Sequence, residues 1–244
     1  MKAFHRFFKT TSLLCVLLIG HKHHVFDHNE WHEIGKSVEG RPIQMANFGT
    51  GVRTILFIGV IHGNEKKGKK LLHLLYECLR LDPEKYKDSR VLIVPNANPD
   101  GFARNTRGNA NGVDINRNFP TRNWSNQVTD DKYTPGPSAG SEPETKTLIE
   151  IIETERPDVI VSIHQPLECI NYDGPAVNMA EKLVEATGLP LMQDIGYSTP
   201  GSLGTYTGIE RDIPTITVEL PWKADTGNLK KKFIPALLML IAYP

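Results

Sequence analysis

The chain has 244 residues, enough for one domain with a substantial core, and its 39% hydrophobic and 23% charged content fits a globular protein in water. Lys+Arg and Asp+Glu both number 28, so the formal net charge is zero, which excludes a global electrostatic drive toward nucleic acid or anionic membrane. Three cysteines (Cys15, Cys78, Cys169), none in a C-x-x-C pair, exclude a disulfide framework and a thiolate zinc site, so any zinc ligands must be histidines and carboxylates.

Residues 1–30 resemble an export signal or N-terminal extension. Lys2, Arg6 and Lys9 precede the short apolar run Ser12 to Gly20, which is too brief for an ordinary transmembrane helix. The basic start and apolar run match a secretory signal, so a periplasmic or exported protein is expected; the poor cleavage site that follows, His21-Lys22-His23-His24, leaves a cytoplasmic one with an attached extension as the alternative. His21, His23, His24, His28 and His32 form a cluster that could bind metal loosely but reads first as a polar extension ahead of the fold. No second long apolar run exists, so no integral membrane domain is expected in 31–244, which reads as a single catalytic domain.

Gly35 to Pro42 reads as a turn-rich entry and Pro42 to Phe48 as the first strand. Arg53 to Ile61 is nearly all apolar, as for a strand covered on both faces. Lys66 to Leu81 has apolar residues at helical spacing with lysines opposite. Val91 to Val94 is another buried strand, stopped by the breaker cluster Pro95 to Gly101. Phe102 to Ala139 shows little periodicity, and long irregular stretches in compact domains are usually functional. Ser141-Glu142-Pro143-Glu144 has capping-box spacing and predicts a helix to Glu155. Asp158 to Ile163 is a strand, Pro175 to Ala186 a helix closed by Gly188, Thr215 to Leu220 a β-branched strand, and Asn228 to Leu240 a C-terminal helix. This alternation predicts an α/β fold: a mixed, mainly parallel sheet with helices on both faces.

Two apolar strands deliver ligand-type side chains at their ends. The first runs into His62-Gly63-Asn64-Glu65 and the second into His164. Histidine and glutamate three residues apart can converge on one ion, and His164 points to the carboxyl edge of the sheet, where open α/β sheets place their ligands. Three ligands of this kind leave a fourth tetrahedral position for water, the arrangement of a catalytic rather than a structural zinc. The competing reading is a loop pair at a helix start plus a core histidine satisfied by backbone. Glu219 ends an apolar strand, where a carboxylate is costly unless paired or working. It either accepts a proton from water or simply faces solvent. Arg107 and Arg117 bracket the richest loop, Asn109 to Pro120, and their guanidinium forks suit carboxylates and developing oxyanions, or are solvated loop charges. Asn171, Tyr172 and Asp173 follow His164 closely and could line a polar pocket, or Tyr172-Asp173-Gly174-Pro175 is only a turn into the next helix.

Together, His62-x-x-Glu65, Asn98-Pro99-Asp100-Gly101, Arg107, Asp114-Ile115-Asn116-Arg117-Asn118-Phe119-Pro120, His164 and Glu219 resemble the zinc carboxypeptidases of the carboxypeptidase A type over residues 31 to 243. Arg107 to Asp114, Gly140 to Thr145 and Gly196 to Gly204 are most similar to the murein peptide amidase branch. The resemblance implies a compact zinc-carboxypeptidase-like fold with one zinc ion on His62, Glu65 and His164, and Glu219 as general base and acid. It also implies that Arg107 polarises the scissile carbonyl, that Asn116 and Arg117 clamp a terminal carboxylate, and that Tyr197 closes over substrate. The implied reaction is hydrolysis of the γ-D-glutamyl–meso-diaminopimelate amide in a murein peptide or peptidoglycan stem peptide, with Asp173 a candidate partner for the distal ammonium.

The chain departs from the digestive enzymes in its length and in lacking their disulfides, and Gln165 follows His164 where some relatives carry an acid. Two alternatives remain open. One is a deacylase of small N-acyl amino acids like aspartoacylase or succinylglutamate desuccinylase. The other is an inactive zinc- or murein-peptide-binding module.

Overall fold

The computed structural model describes residues 30–128 and 130–243. The signal-like segment and His21, His23, His24 and His28 lie outside the described residues. Seven strands form one sheet: β1 (Trp31–Lys36), β2 (Pro42–Phe48), β3 (Arg53–Gly59), β4 (Ser89–Val94), β5 (Val159–His164), β6 (Ile170–Asp173) and β7 (Thr215–Glu219), in the spatial order β1-β2-β4-β3-β5-β7-β6. The central strands β4, β3, β5 and β7 are parallel, and β1, β2 and β6 add antiparallel edges. The sheet is therefore mixed with a parallel centre, as the sequence predicts.

The helices are α1 (Lys67–Leu81), α2 (Pro99–Arg104), α3 (Pro143–Glu155), α4 (Val177–Thr187), α5 (Thr226–Asn228) and α6 (Ile234–Ala242). α1, α4 and α6 cover one face, where Leu71, Leu75, Leu183 and Leu237 pack with the strand residues Ile55, Phe57, Val161 and Ile216. On the other face Leu148, Ile151 and Ile152 of α3 meet Leu56, Ile58, Leu92 and Ile160. Strand β3 thus sends alternate side chains to two cores, which is why its sequence is a continuous apolar run instead of an alternating one. Truncating a residue such as the fully buried Phe57 to alanine costs about 3–5 kcal/mol. Among the described residues no helix is long and apolar enough to cross a membrane.

Five local expectations are corrected. Trp31 to Lys36 is a strand; its alternation is blurred by an irregular register between Glu33 and Gly35. The breaker cluster does not stay irregular: Asn98 caps α2 by accepting from the Gly101 amide at 2.9 Å, with Pro99 in the first turn, where its missing N–H costs nothing. The capping box at Ser141 does not form, because the Ser141 hydroxyl donates to the Glu142 carboxylate, and Glu142 itself precedes the helix. Asn171 to Asp173 belongs to β6, not to a turn. The C-terminal helix is longer than expected and passes through a π-helical stretch, Leu229–Phe233, before α6.

Candidate metal centre and active site

The parallel strands end side by side, and their ends carry the polar residues. In the β5–β7 register His164 lies opposite Glu219, and Gly59 of β3 lies opposite Ile163. The chain leaving β3 turns sharply at Val60 (φ 54°) and presents His62 and Glu65 ahead of α1. Gly63 in this turn sits flush on α2: a Cβ there would lie 2.0 Å from the Gly101 carbonyl carbon. The turn is also pinned by the Gly63 amide donating to the Arg107 carbonyl at 3.1 Å, and by Asn98 donating to the carbonyls of Ile61 and Arg107.

These elements bring His62, Glu65 and His164 together, with one potential ligand atom from each lying within 4.8 Å of the others. All three are buried. Glu65 Oε1 is 2.7 Å from His62 Nδ1, Glu65 Oε2 is 2.9 Å from His164 Nδ1, and the two Nδ1 atoms are 3.1 Å apart. Asp114 explains the orientation of His62. Its Oδ1 accepts from His62 Nε2 at 3.1 Å, which leaves the Nδ1 lone pair facing the centre.

The carboxylates of Glu65 and Asp114 beside His62 favour positive charge at this point. Burial would lower the pKa of His62, but Glu65 and Asp114 outweigh it and raise the pKa to about 9. Burial would raise that of Glu65, but the two imidazoles hold it well below the usual carboxylate range. Asp114 is likewise held low, against burial, by His62 and then by Arg107 and Arg117. Two imidazole nitrogens and an ionised carboxylate converging on one point form a borderline-soft N₂O donor set that suits zinc.

Glu219 stands beside this cluster. Burial raises its pKa above the ordinary 4.5, and its Oε2 accepts from the Leu167 amide at 3.2 Å. Arg107 Nε donates to Asp114 Oδ2 at 2.9 Å, and its Nη1 is 3.7 Å from Glu65 Oε1. Arg117 is buried and donates to the Asn116 carbonyl at 2.7 Å; burial lowers its pKa, since no carboxylate forms an ion pair with it among the described residues. The Asn116 side-chain oxygen accepts from the Leu203 amide at 2.8 Å, which leaves its NH₂ for other partners. Tyr197 is half-exposed and stacks on Tyr133 with ring centroids 6.1 Å apart.

All eight residues given a role in the sequence, His62, Glu65, His164, Glu219, Arg107, Asn116, Arg117 and Tyr197, border one cavity of about 460 Å³. Asn171 and Asp173 line it as well, while Tyr172, between them on β6, packs against the core instead. A larger cavity of about 680 Å³ lies by Arg53, Tyr86 and Ile241 and includes none of these groups.

Two residues gain importance only in the structure. Asp114 lies in a motif that the sequence does single out, but its contact with His62 joins residues 52 positions apart. The Tyr133 ring lies 5.1 Å from the Arg107 guanidinium carbon and 5.0 Å from that of Arg117, so it separates two like charges. A lone tyrosine in an aperiodic loop gives no sequence signal for that.

The family model described as zinc carboxypeptidase matches residues 27–188. The chain belongs to the zinc carboxypeptidase family. It is accordingly a zinc metallohydrolase. The matched segment contains the three convergent ligands, while Tyr197 and Glu219 lie beyond it. The chain is 37% identical over 206 residues to murein peptide amidase A of Vibrio campbellii, covering 77% of each chain. It is 34% identical over 199 residues to murein peptide amidase A of Escherichia coli K12, covering 77% of this chain and 79% of the relative. Its structure is similar to that of murein-tripeptide amidase from Escherichia coli O157, with a TM-score of 0.71, 29% identity and coverage of 88% and 92%. Carboxypeptidase A of Helicoverpa armigera shares the fold, with a TM-score of 0.69 at 22% identity, covering 87% of this chain and 66% of that one.

Proposed function

We propose that this metallohydrolase cleaves the γ-D-glutamyl–meso-diaminopimelate amide of murein peptides. The observation that carries the reading is the convergence of His62, Glu65 and His164 at the wall of a cavity that also holds Glu219, Arg107 and Arg117. Likeness to two murein peptide amidases over most of both chains supports the choice of substrate.

In this reading His62, His164 and the Glu65 carboxylate would hold one zinc ion, which when bound would supply Lewis acidity to the scissile carbonyl and the attacking water. Glu219 takes the proton from that water and passes it to the departing amine, and its burial tunes it upward toward such a task. Arg107, held by Asp114, donates to the oxygen on which charge develops, an interaction typically supplying about 3–4 kcal/mol. Arg117 and the NH₂ of Asn116 hold the carboxylate of the released residue, so binding energy remote from the bond positions the reacting atoms. Tyr197, at the cavity border, closes over the bound peptide. Asp173 receives the distal ammonium of diaminopimelate. Its carboxylate lines the cavity with no hydrogen bond or ion pair among the described residues, and burial raises its pKa.

Incubating purified protein with L-Ala-γ-D-Glu-meso-diaminopimelate, with and without chelator, and reading the products by mass spectrometry tests the reading. Free diaminopimelate and the L-Ala-D-Glu dipeptide are expected only without chelator. Cleavage at another bond, or an intact peptide under both conditions, refutes it.

A further inference from the structure

Beside the cavity just described lies a second, of about 390 Å³, lined by Asn64, Lys66, Lys67, Asn105, Gln165 and Trp222. The two share Asn64 and Gln165, the neighbours in sequence of the convergent ligands Glu65 and His164. They do not share Asn116, Arg117, Tyr197 or Asp173. With the released residue against Arg117 and the scissile carbonyl at the cluster, the border at Asn64 and Gln165 is left for the acyl side of the peptide.

The charge of this second cavity is one-sided. Its lining includes two lysines and no acid. Among the described residues neither lysine has a carboxylate within ion-pair distance: the Lys66 ammonium sits 5.1 Å from the Phe102 ring centroid, and that of Lys67 donates to the Ala224 carbonyl at 2.5 Å. That leaves Lys67 two further N–H donors. The carboxylates nearest in sequence are already engaged, Glu65 with both imidazoles and Asp225 with the Asn228 amide. The contact with Ala224 also ties α1 to the segment that carries the exposed Trp222, so this wall is built from two elements rather than from one loose side chain.

We infer that this second cavity is the acyl-side subsite of the enzyme and takes a free carboxylate carried by the residue that donates the scissile carbonyl. The inference rests on the amidase reading and deepens it. An ordinary α-linked residue spends its backbone carboxyl on the amide, whereas a γ-linked glutamyl residue leaves its α-carboxylate free on the acyl side. Lys66 and Lys67 thereby select a γ-linked glutamyl donor with its acid intact.

The test compares two tripeptides that differ in one group: L-Ala-γ-D-Glu-meso-diaminopimelate and its analogue with the glutamyl α-carboxylate converted to carboxamide. The wild type should favour the free acid by at least about tenfold in kcat/KM, with the difference in KM, as for the loss of one charge-assisted hydrogen bond. The ratio should collapse toward one in the Lys66→Ala/Lys67→Ala double variant and persist in Lys66→Arg. Equal kcat/KM on the two peptides in the wild type, or a ratio that survives the double substitution, overturns the subsite and leaves the amidase reading standing. Cleavage of neither peptide strikes the amidase reading itself, and the subsite falls with it.

Discussion

His62 Nδ1 and His164 Nδ1 lie 3.1 Å apart, although 102 positions separate them in the chain. Two ring nitrogens aimed at each other across one carboxylate are not a favourable arrangement by themselves; a shared cation turns their lone pairs into ligands. Adding zinc to chelator-treated protein should therefore restore activity and raise the melting temperature. At a free zinc concentration a hundredfold above Kd the stabilisation is about 2.7 kcal/mol, worth roughly 2–4 °C per kcal/mol in a domain of this size. Calorimetry with and without zinc reads it, and an unchanged melting temperature would count against a metal site.

Glu219 lies opposite His164 in the β5–β7 ladder, and in the proposed reaction it moves protons and does not hold the ion. Glu219→Gln should lower kcat by about 10²–10⁴-fold while one zinc per chain is retained. Parallel turnover and metal analysis separates the roles, since a ligand substitution would lose zinc and turnover together. A binding module without chemistry would show no turnover to lose.

Asp114 acts through His62 and Arg107. Asp114→Asn keeps the shape but not the charge, and it should weaken zinc binding about 10–100-fold, the usual cost of losing the partner behind a ligating histidine. Competition with a coloured chelator measures this, and unaltered affinity would remove Asp114 from its positioning role.

Asp173 gives a pH-dependent prediction. Burial raises its folded-state pKa above the ordinary 3.8, so the folded state holds this proton more tightly than the unfolded state does. The associated stability is complete below pH 3.8 and is lost as pH rises through the folded-state value. Asp173→Asn should accordingly raise the melting temperature at pH 7 and lose that advantage as pH falls below the usual aspartate range. On the diaminopimelate peptide the same substitution should cost about 10–150-fold in kcat/KM, as for removal of one partner of a charged hydrogen bond. Melting curves between pH 3 and 7 together with kinetics check both halves.

Arg117→Ala should reduce kcat/KM by a similar factor of about 10–150 on a peptide ending in a free carboxylate and leave the low rate on its C-terminal amide nearly unchanged. Equal losses on both would show that Arg117 does not bind that carboxylate.

Legibility in the sequence followed the range of the interactions. The strands β3, β4 and β5 declare themselves because burial on both faces demands apolar runs, β7 by its β-branched residues, and α1 by its helical periodicity. His62, Glu65, His164 and Glu219 stand out because each terminates or follows such a run. β6 was illegible: four residues, three of them polar or facing a polar cavity, look like a turn until β7 supplies the ladder. Tyr133 and Asp114 were illegible for a different reason. Their roles exist only in contacts with arginines and a histidine that the fold gathers from separate segments. The lysine-lined cavity was hidden likewise, because Lys66 and Lys67 read as the solvated start of a helix until Trp222 closes over the same space.

Anomalous diffraction at the zinc absorption edge, on crystals of the metal-loaded protein, tests the central claim most directly. One strong peak should lie about 2.0–2.2 Å from His62 Nδ1, His164 Nδ1 and a Glu65 carboxylate oxygen. A zinc peak elsewhere, or none between these three side chains, would contradict the account.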